Sequence, residues 1–230
     1  MAYVLGFFIA DGCLSLAKGR PGNPYTFSIT SKDLELLENI KKTLGSEYKI
    51  SRKLGGSGQT AYQIQVRNLA IAYDVMNLGI FPRKTYNLKP VKVPEEYFAD
   101  FVRGFFDGDG SVYLYNVNNT PQIKSSFVCT SLAFITDFNM RLCRALNIPE
   151  KSIHQTIGKE AGFMTQYSNC FYVDDSVKLA ELMYSKNPTL HLERKKEIFE
   201  KWKFVKRRIM IKRNYPSKVG WRLSEGHKGL

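Results

Sequence analysis

The chain repeats Val4-Leu-Gly-Phe-Phe-Ile-Ala-Asp-Gly12 as Val102-Arg-Gly-Phe-Phe-Asp-Gly-Asp-Gly110 without an insertion or deletion. Each residue of the second copy lies 98 positions after its counterpart, because 102 follows 4 and 110 follows 12 by the same interval. Both copies have the pattern of an apolar helix that ends at Asp-Gly, where glycine allows the chain to turn out of the helix. One carboxylate at the same point of two equivalent helices predicts two half-sites that meet at one centre.

Small residues recur four positions apart in both copies, as Gly6 and Ala10 in the first and as Gly104 and Gly108 in the second. Residues at i and i+4 lie on one face of a helix, and small side chains on that face let two helix backbones approach closely. The two helices are therefore predicted to pack directly against each other. Their phenylalanines are predicted to fill the hydrophobic cores that flank this contact.

Asp11 and Asp109 end the two predicted helices, where the helix macrodipole disfavours a negative charge. Two such carboxylates side by side, together with the free carbonyl groups of the last helical turn, form an oxygen-rich site that suits Mg²⁺. A cation held there would activate water and stabilise the leaving oxygen of a phosphodiester. A single helix that ends in Asp-Gly usually marks only a turn, so the prediction of a metal site depends on the repeat.

Basic residues dominate the charge of this 230-residue chain, with 34 Lys and Arg against 21 Asp and Glu and a net charge of +13. This charge favours a polyanionic partner such as nucleic acid, although from charge alone a basic protein without such a partner is an equal alternative. The four cysteines show no Cys-x-x-Cys spacing, which disfavours a zinc or disulfide framework. No apolar stretch approaches the roughly 20 residues of a membrane helix. We therefore expect a soluble intracellular protein, in the cytoplasm or in an organelle.

Hydrophobic periodicity predicts the order helix, strand, strand, helix, strand, strand, helix in both halves of the chain. The predicted helices are 2–10, 32–44 and 69–78, then 96–108, 132–146, 176–185 and 189–208. The predicted strands are 13–18, 24–30, 47–53 and 61–67, then 111–116, 122–130, 152–157 and 169–174. Two prolines in Asn87-Leu-Lys-Pro-Val-Lys-Val-Pro94 predict an extended connector. The predicted organisation is an N-terminal unit with its linker at 1–92, a C-terminal unit at 93–205 and a basic tail at 206–230.

The repeated motif resembles that of the LAGLIDADG homing endonucleases, in the form that carries two motifs on one chain, and the likeness covers residues 2 to about 205. The resemblance implies an α+β fold of two pseudo-symmetric αββαββα units. In that fold two antiparallel four-stranded sheets form a saddle, and the motif helices pack at the interface. It also implies a monomer that cleaves both strands of a long double-stranded DNA target by metal-dependent hydrolysis and leaves 3′ overhangs. Mg²⁺ is the expected cofactor, and Mn²⁺ is expected to substitute for it.

Asp11 and Asp109 stand at the motif positions of the family's catalytic, metal-binding carboxylates, so the resemblance assigns this role to them. The resemblance likewise assigns metal-binding backbone carbonyl groups to Ala10 and Gly108. Asp107 has no acidic counterpart in the first motif, where an isoleucine stands. That position does not carry the metal carboxylate in the family, so we expect the difference to be tolerated, with halves that are electrostatically unequal.

The family also places a basic residue near each scissile phosphate. Lys84 lies at the expected distance before the second motif, and Lys195 is preferred to Lys186 as its partner in the second unit. A glutamine often follows the second strand of each unit in the family, whereas this chain has Ser31 and Ser131. The resemblance therefore leaves open which side chains position water.

Alternation along the predicted strands assigns polar side chains to the sheet faces opposite the core. Lys and Arg can read guanine, Gln can read adenine, and Ser or Thr can contact either base in the major groove. We therefore predict that both faces bind DNA, the alternative being an ordinary solvated sheet face, which is also polar. The predicted DNA-binding residues are Ser15, Thr26, Ser28, Lys49, Lys53, Gln63, Gln65 and Arg67 in the first unit and Tyr113, Tyr115, Lys124, Ser126, His154 and Thr156 in the second.

Two other functions fit the same motifs. An RNA-binding maturase on this fold would assist intron splicing, with intron RNA as its partner, and intact carboxylates do not exclude it. A DNA-binding regulator that has lost nuclease activity would fit the unequal motifs. Binding of duplex DNA or intron RNA without cleavage in Mg²⁺ would distinguish these functions from a nuclease.

Overall fold

The computed structural model describes residues 1–16, 22, 24–54, 58–158 and 164–214, with the side chains in these ranges except those of 86, 87 and 207–214. Its first unit consists of α1 (Ala2–Asp11), β1 (Gly12–Leu16), β2 (Tyr25–Ser31), α2 (Leu34–Thr43), β3 (Ile50–Leu54), β4 (Thr60–Val66) and α3 (Leu69–Asn77). A short helix, α4 (Lys84–Asn87), precedes the second unit. That unit consists of α5 (Glu95–Asp109), β5 (Ser111–Val117), β6 (Thr120–Cys129), α6 (Leu132–Leu146), β7 (His154–Thr156), β8 (Gln166–Tyr172), α7 (Asp174–Tyr184) and α8 (Glu193–Asn214). The predicted order of elements is confirmed in both units.

Side-chain caps set several of these bounds. The Asn68 side chain accepts hydrogen bonds from two backbone N–H groups at the start of α3. The Ser131 hydroxyl accepts one from the Phe134 N–H at the start of α6. Asn147 ends α6 in the left-handed conformation, with φ of 50°, which asparagine adopts more readily than most residues. Short polar residues therefore begin and end these helices for local chemical reasons.

Each unit contains one four-stranded antiparallel sheet, with the order β1-β2-β4-β3 in the first and β5-β6-β8-β7 in the second. Phe27, which pairs with Val66 in the first sheet, is buried together with that residue. Phe127, which occupies the corresponding position in β6, pairs with the buried Asn169. One face of each sheet thus covers a hydrophobic core, and its other face carries the polar side chains. The predicted fold class is confirmed.

The connector and the C-terminal segment differ from prediction in their bounds. A turn of helix, α4, precedes the extended stretch, which is attached to the second unit because the Arg141 guanidinium donates to the carbonyl oxygens of Val91 and Val93. Helix α8 continues to Asn214, past residue 206 where the basic tail was predicted to begin, and residues 215–230 lie outside the described part of the chain. No helix within the described ranges has the length and apolar character needed to cross a membrane.

The motif helices α1 and α5 pack against each other with their backbones in direct contact. A Cβ atom on Gly6 would lie 2.2 Å from the Phe101 carbonyl oxygen, and one on Gly104 would lie 2.0 Å from the Tyr3 carbonyl oxygen. A Cβ on Gly108 would lie 2.1 Å from the Ala10 side chain. The predicted interface of small residues is confirmed, and it brings the C-terminal ends of both helices to one place.

Candidate active site

Each motif helix ends at its aspartate, and the next residue begins a strand. Gly12 and Gly110 have φ values of −93° and −76°, which any residue adopts, so a left-handed turn is not the reason for glycine here. The reason is space, because a Cβ on Gly12 would lie 2.0 Å from the Phe8 ring and one on Gly110 would lie 2.3 Å from the Phe106 ring. Core packing therefore holds both aspartates at the helix ends.

Asp11 and Asp109 are brought together because α1 and α5 stay in contact to their C-terminal ends. A Cβ on Gly108 would lie 3.5 Å from Asp11 Oδ2. Burial, and after it the nearby charge of Asp11, raise the pKa of Asp109 to about 6. Burial also raises the pKa of Asp11, against the opposing charge of Lys195. Two acids whose ionisation is disfavoured in this way form a site that a cation would stabilise.

Two lysines, the half-buried Lys84 and the buried Lys195, bond the carbonyl groups that end the motif helices. Lys84 Nζ donates to the carbonyl oxygens of Ile9 and Ala10. Lys195 Nζ donates to those of Phe106 and Gly110, both at 2.6 Å, and to two others between them. Burial lowers the pKa of Lys84 and lowers that of Lys195 to about 8. Each ammonium group offsets the negative end of a helix macrodipole beside an aspartate.

For each of the two aspartates, the lysine that most lowers the pKa comes from the opposite unit. Lys84, from the first unit, counters the raised pKa of Asp109 more than Lys195 does. Lys195, from the second unit, is the cation with the largest effect on Asp11. The two half-sites are therefore each assembled across the interface, and neither unit carries a complete one.

The first of these assemblies, which we call the Asp109 half-site, is a cavity of about 230 Å³. Asp109, Ala10, Lys84, Thr130 and Gln166 are among its lining residues, so both units contribute to it. Gln166 was not singled out from the sequence. It reaches the cavity because β8 begins beside the end of β6, a pairing that no local pattern specifies.

The second assembly, the Asp11 half-site, is a wider cavity of about 700 Å³. Its lining includes Asp11, Thr30, Ser31, Asp107 and Arg194. The volumes of the two half-site cavities therefore differ. Arg194 was also missed at the sequence level. The sequence signal that could have identified Arg194 is an Arg-Lys pair that occurs at 83–84 and again at 194–195. These pairs are 111 positions apart, whereas the two motifs are 98 positions apart.

The serines expected in place of the glutamine are engaged in local structure. Ser131 Oγ caps α6 and donates to the Leu88 carbonyl oxygen, while Ser31 Oγ accepts from the Asp33 N–H at 3.1 Å. Near each half-site a glutamine lies instead on the adjacent strand of the sheet, which is β4 in the first unit and β8 in the second. Gln63 donates from Nε2 to Thr30 Oγ1 at 3.1 Å, beside the Asp11 half-site, and Gln166 lines the Asp109 half-site.

The predicted DNA-binding residues of the strands lie on the sheet faces opposite the core. Pairing places Ser15 opposite Thr26, Ser28 opposite Gln65, Ser51 opposite Gln63, Tyr113 opposite Lys124, and Thr156 opposite Gln166. Lys49 precedes β3 and Arg67 follows β4, and both are exposed. Ser28, Gln63 and Ser126 are buried by their neighbours, with relative exposures of 7%, 7% and 9%. These three are hydrogen-bonded within the sheet and are less accessible than predicted.

Lys195→Met is expected to lower the free energy of unfolding by about 1–3 kcal/mol, because buried carbonyl groups lose their hydrogen-bond donor. Urea denaturation of the full chain measures this change. Lys186→Met is the matched control, since Lys186 is exposed, and it should leave the midpoint unchanged. Equal midpoints for the two variants would contradict the role assigned to Lys195.

Known proteins resemble this chain in sequence and in fold. Residues 1–85 match the family model of the LAGLIDADG-like domain. The LAGLIDADG homing endonuclease I-GzeII in complex with its DNA target has a similar fold, with a TM-score of 0.59, 14% identity, and coverage of 93% of this chain and 91% of that one. The LAGLIDADG meganuclease I-CpaMI bound to uncleaved DNA is similar at a TM-score of 0.56 and 13% identity, with coverage of 93% and 92%.

A sequence relative is described as a DNA polymerase of Acanthamoeba polyphaga mimivirus, which is 25% identical over 116 residues. The match covers 48% of this chain but only 7% of the polymerase. The chain thus corresponds to a small part of that protein, and polymerase activity does not follow from the match. Residues 1–85 therefore match a LAGLIDADG-like domain, and the chain has the two-unit fold seen in the LAGLIDADG homing endonucleases.

Proposed function

We propose that this protein is a site-specific homing endonuclease that cleaves both strands of a long double-stranded DNA target. The observation that carries the proposal is the meeting of Asp11 and Asp109 at one centre, each beside a lysine of the opposite unit. The net charge of +13 supports binding to a polyanion. The two solved structures named above are described as DNA complexes, which gives no support to intron RNA as the partner.

A divalent cation fits the residues at this centre. Asp11 and Asp109 would hold it, with the carbonyl oxygens of Ala10 and Gly108. Lys84 Nζ lies 3.2 Å from the Ala10 carbonyl oxygen, and Lys195 Nζ lies 3.4 Å from that of Gly108. These distances are longer than the 2.6 Å between Lys195 Nζ and its closest carbonyl partners. The oxygen-rich donor set suits Mg²⁺, and we propose Mg²⁺ as the cofactor with Mn²⁺ as a substitute. When bound, such an ion activates water and stabilises the leaving oxygen of a phosphodiester.

The side chains of the chain itself would bind and orient the DNA. The polar sheet faces, with Lys49, Lys53 and Arg67 at or near their strands, would contact phosphates and base edges in the major groove. Lys84 and Lys195 keep positive charge beside the carboxylates, which reduces their repulsion of the DNA backbone. Each half-site would serve one strand, and one chain would suffice because it carries both. The family resemblance implies cleavage across the minor groove, which would leave 3′ overhangs.

Cleavage of a randomised duplex-DNA library in Mg²⁺ tests this function directly. We expect recovery of one long target, cut in both strands with 3′ overhangs, and no cutting in the presence of a chelator. Sequencing of the cut ends gives both the target and the overhang. Tight binding to DNA without cutting would overturn the proposal and favour a regulator that has lost nuclease activity.

Metal affinity is expected to fall below about pH 6. The pKa of Asp109 is raised to about 6, so at lower pH the carboxyl group carries a proton that a cation must displace. Affinity should therefore drop about tenfold per pH unit below pH 6 and level off above it. Calorimetric titration with Mn²⁺ from pH 5 to 8 measures the profile. The variant Asp109→Asn should bind Mn²⁺ weakly and lose this dependence, and a flat profile for the parent protein would contradict the assignment.

A further inference from the structure

Asp107 joins three separate parts of the structure through one carboxylate oxygen. Its Oδ2 atom accepts a hydrogen bond from the Tyr3 hydroxyl at 2.8 Å and another from the Leu192 N–H at 2.9 Å. Tyr3 lies in the first turn of α1, and Leu192 lies just before α8. Asp107 itself lies in α5 and is 1% exposed, so these bonds are shielded from water. The segment before α8 is thus attached to both motif helices.

A second side chain of α5 holds the same segment. Arg103 donates to the Leu190 carbonyl oxygen at 2.8 Å and to the Met183 carbonyl oxygen at 2.9 Å. Its guanidinium carbon lies 5.3 Å from the centre of the Tyr3 ring. Residues 190–192 are therefore held at one end by a part-buried hydrogen bond and at the other by a buried one, which is costly to break in a low-dielectric interior.

This segment leads directly to the basic residues of the Asp11 half-site. The Lys195 N–H donates to the Leu192 carbonyl oxygen at 3.0 Å, so the position of Leu192 sets where α8 begins. Arg194, which precedes Lys195, lines the cavity of the Asp11 half-site, and its Nε atom lies 3.8 Å from Asp33 Oδ2 of the first unit. A shift of Leu192 would displace both basic side chains relative to Asp11.

Among the residues that the structure describes, α1 carries no equivalent of this network. The motif places Leu5 where α5 has Arg103 and Ile9 where it has Asp107, and neither apolar side chain can donate or accept a hydrogen bond. The segment before Lys84 instead packs by burial, and Ile80 is 0% exposed. The described side-chain hydrogen bonds around Lys84 come from the second unit, because Thr130 Oγ1 donates to the Thr85 carbonyl oxygen at 2.8 Å and Ser131 Oγ donates to that of Leu88 at 2.6 Å.

We propose that Asp107, together with Tyr3, is a positioning residue for the Asp11 half-site alone, so that the two DNA strands depend unequally on it. The proposal rests on the endonuclease function proposed above. Although Asp107 lines the Asp11 cavity, it is 1% exposed, and the proposal assigns it no contact with metal or substrate. Its effect passes through residues 190–192 to Arg194 and Lys195.

The variants Tyr3→Phe and Asp107→Ile separate this role from general stability. Asp107→Ile copies the residue found in the first motif, whereas Asp107→Asn keeps an acceptor oxygen for both donors and should rescue function. Ile9→Val, at the equivalent position of α1, is the matched control. With end-labelled target DNA under single-turnover conditions, we expect Tyr3→Phe and Asp107→Ile to slow the same strand about tenfold more than the other, so that nicked DNA accumulates. Equal slowing of both strands, or no slowing, would overturn the proposal while the endonuclease function stands.

Hydrogen exchange provides a measurement that does not require cleavage. In Asp107→Ile we expect the amides of residues 190–195 to exchange at least about tenfold faster, while those of 79–84 keep the parent rates. Unchanged exchange at 190–195 would overturn the proposal even if the protein cut no DNA. If exchange changes as expected but the parent protein cuts nothing, the endonuclease function fails, and with it the strand-specific role.

Discussion

Asp11→Asn and Asp109→Asn are each expected to lower the rate of DNA cleavage about 1,000-fold or more. The two carboxylates are the charged oxygen ligands at the centre of the interface, and the loss of several kcal/mol of transition-state stabilisation corresponds to this factor. DNA affinity should be unchanged or higher, because a negative charge that faces the phosphate backbone is removed. Single-turnover cleavage and gel shifts with the recovered target measure the two effects separately.

A suitable control for these variants is Asp74→Asn, since Asp74 is an exposed carboxylate on α3, away from the motif helices' ends. It should cut at the parent rate. Since each half-site is proposed to serve one strand, the double variant at positions 11 and 109 should also lose the nicking of one strand that each single variant keeps. An Asp109→Asn protein that cut both strands at the parent rate would contradict the metal site proposed here.

Gly6→Ala and Gly104→Ala are each expected to destabilise the protein by about 3 kcal/mol, the upper range for overpacking a core. The added methyl group would lie 2.2 Å from a carbonyl oxygen of the facing helix at Gly6 and 2.0 Å at Gly104, so α1 and α5 must separate. In an exposed helix the same substitution stabilises by about 1 kcal/mol. A fall in the free energy of unfolding therefore indicates that the two helices pack closely at these glycines, whereas a rise would indicate that they do not. Urea denaturation measures the change.

The exposed Ala133 on α6 gives the comparison, because Ala133→Val also adds methyl groups to a helix but meets no facing backbone. We expect it to cost about 0.5 kcal/mol, the difference in helix propensity. Cleavage by the glycine variants should fall as well, since separation of the helices moves Asp11 away from Asp109. Stabilisation of the protein by Gly104→Ala would show that the helices do not pack this closely.

Local sequence patterns were sufficient to predict the helices and strands and to predict which face of a strand is apolar. The alternation of Phe27 and Ile29 with Thr26 and Ser28 predicted both the strand and its buried side, and the structure confirms β2 with this orientation for the apolar pair. Helix bounds differed by a few residues, as at α2, which begins at Leu34 instead of residue 32. Burial was harder to predict than face, because Ser28 is on the open face but is enclosed by its neighbours.

The sequence alone determined the two-unit architecture, the helix pair at its centre and the two carboxylates, because repetition and spacing encode these features along the chain. Only the tertiary structure decided that Lys84 would share a cavity with Asp109, that Gln166 would line that half-site, and that Asp107 would hold Leu192. The hydrogen bond from Lys84 to Ile9 joins residues 75 positions apart, and the one from Tyr3 to Asp107 joins residues 104 positions apart. Periodicity specifies which face of an element is apolar, but which distant segment meets that face depends on how the helices cross and how the strands pair.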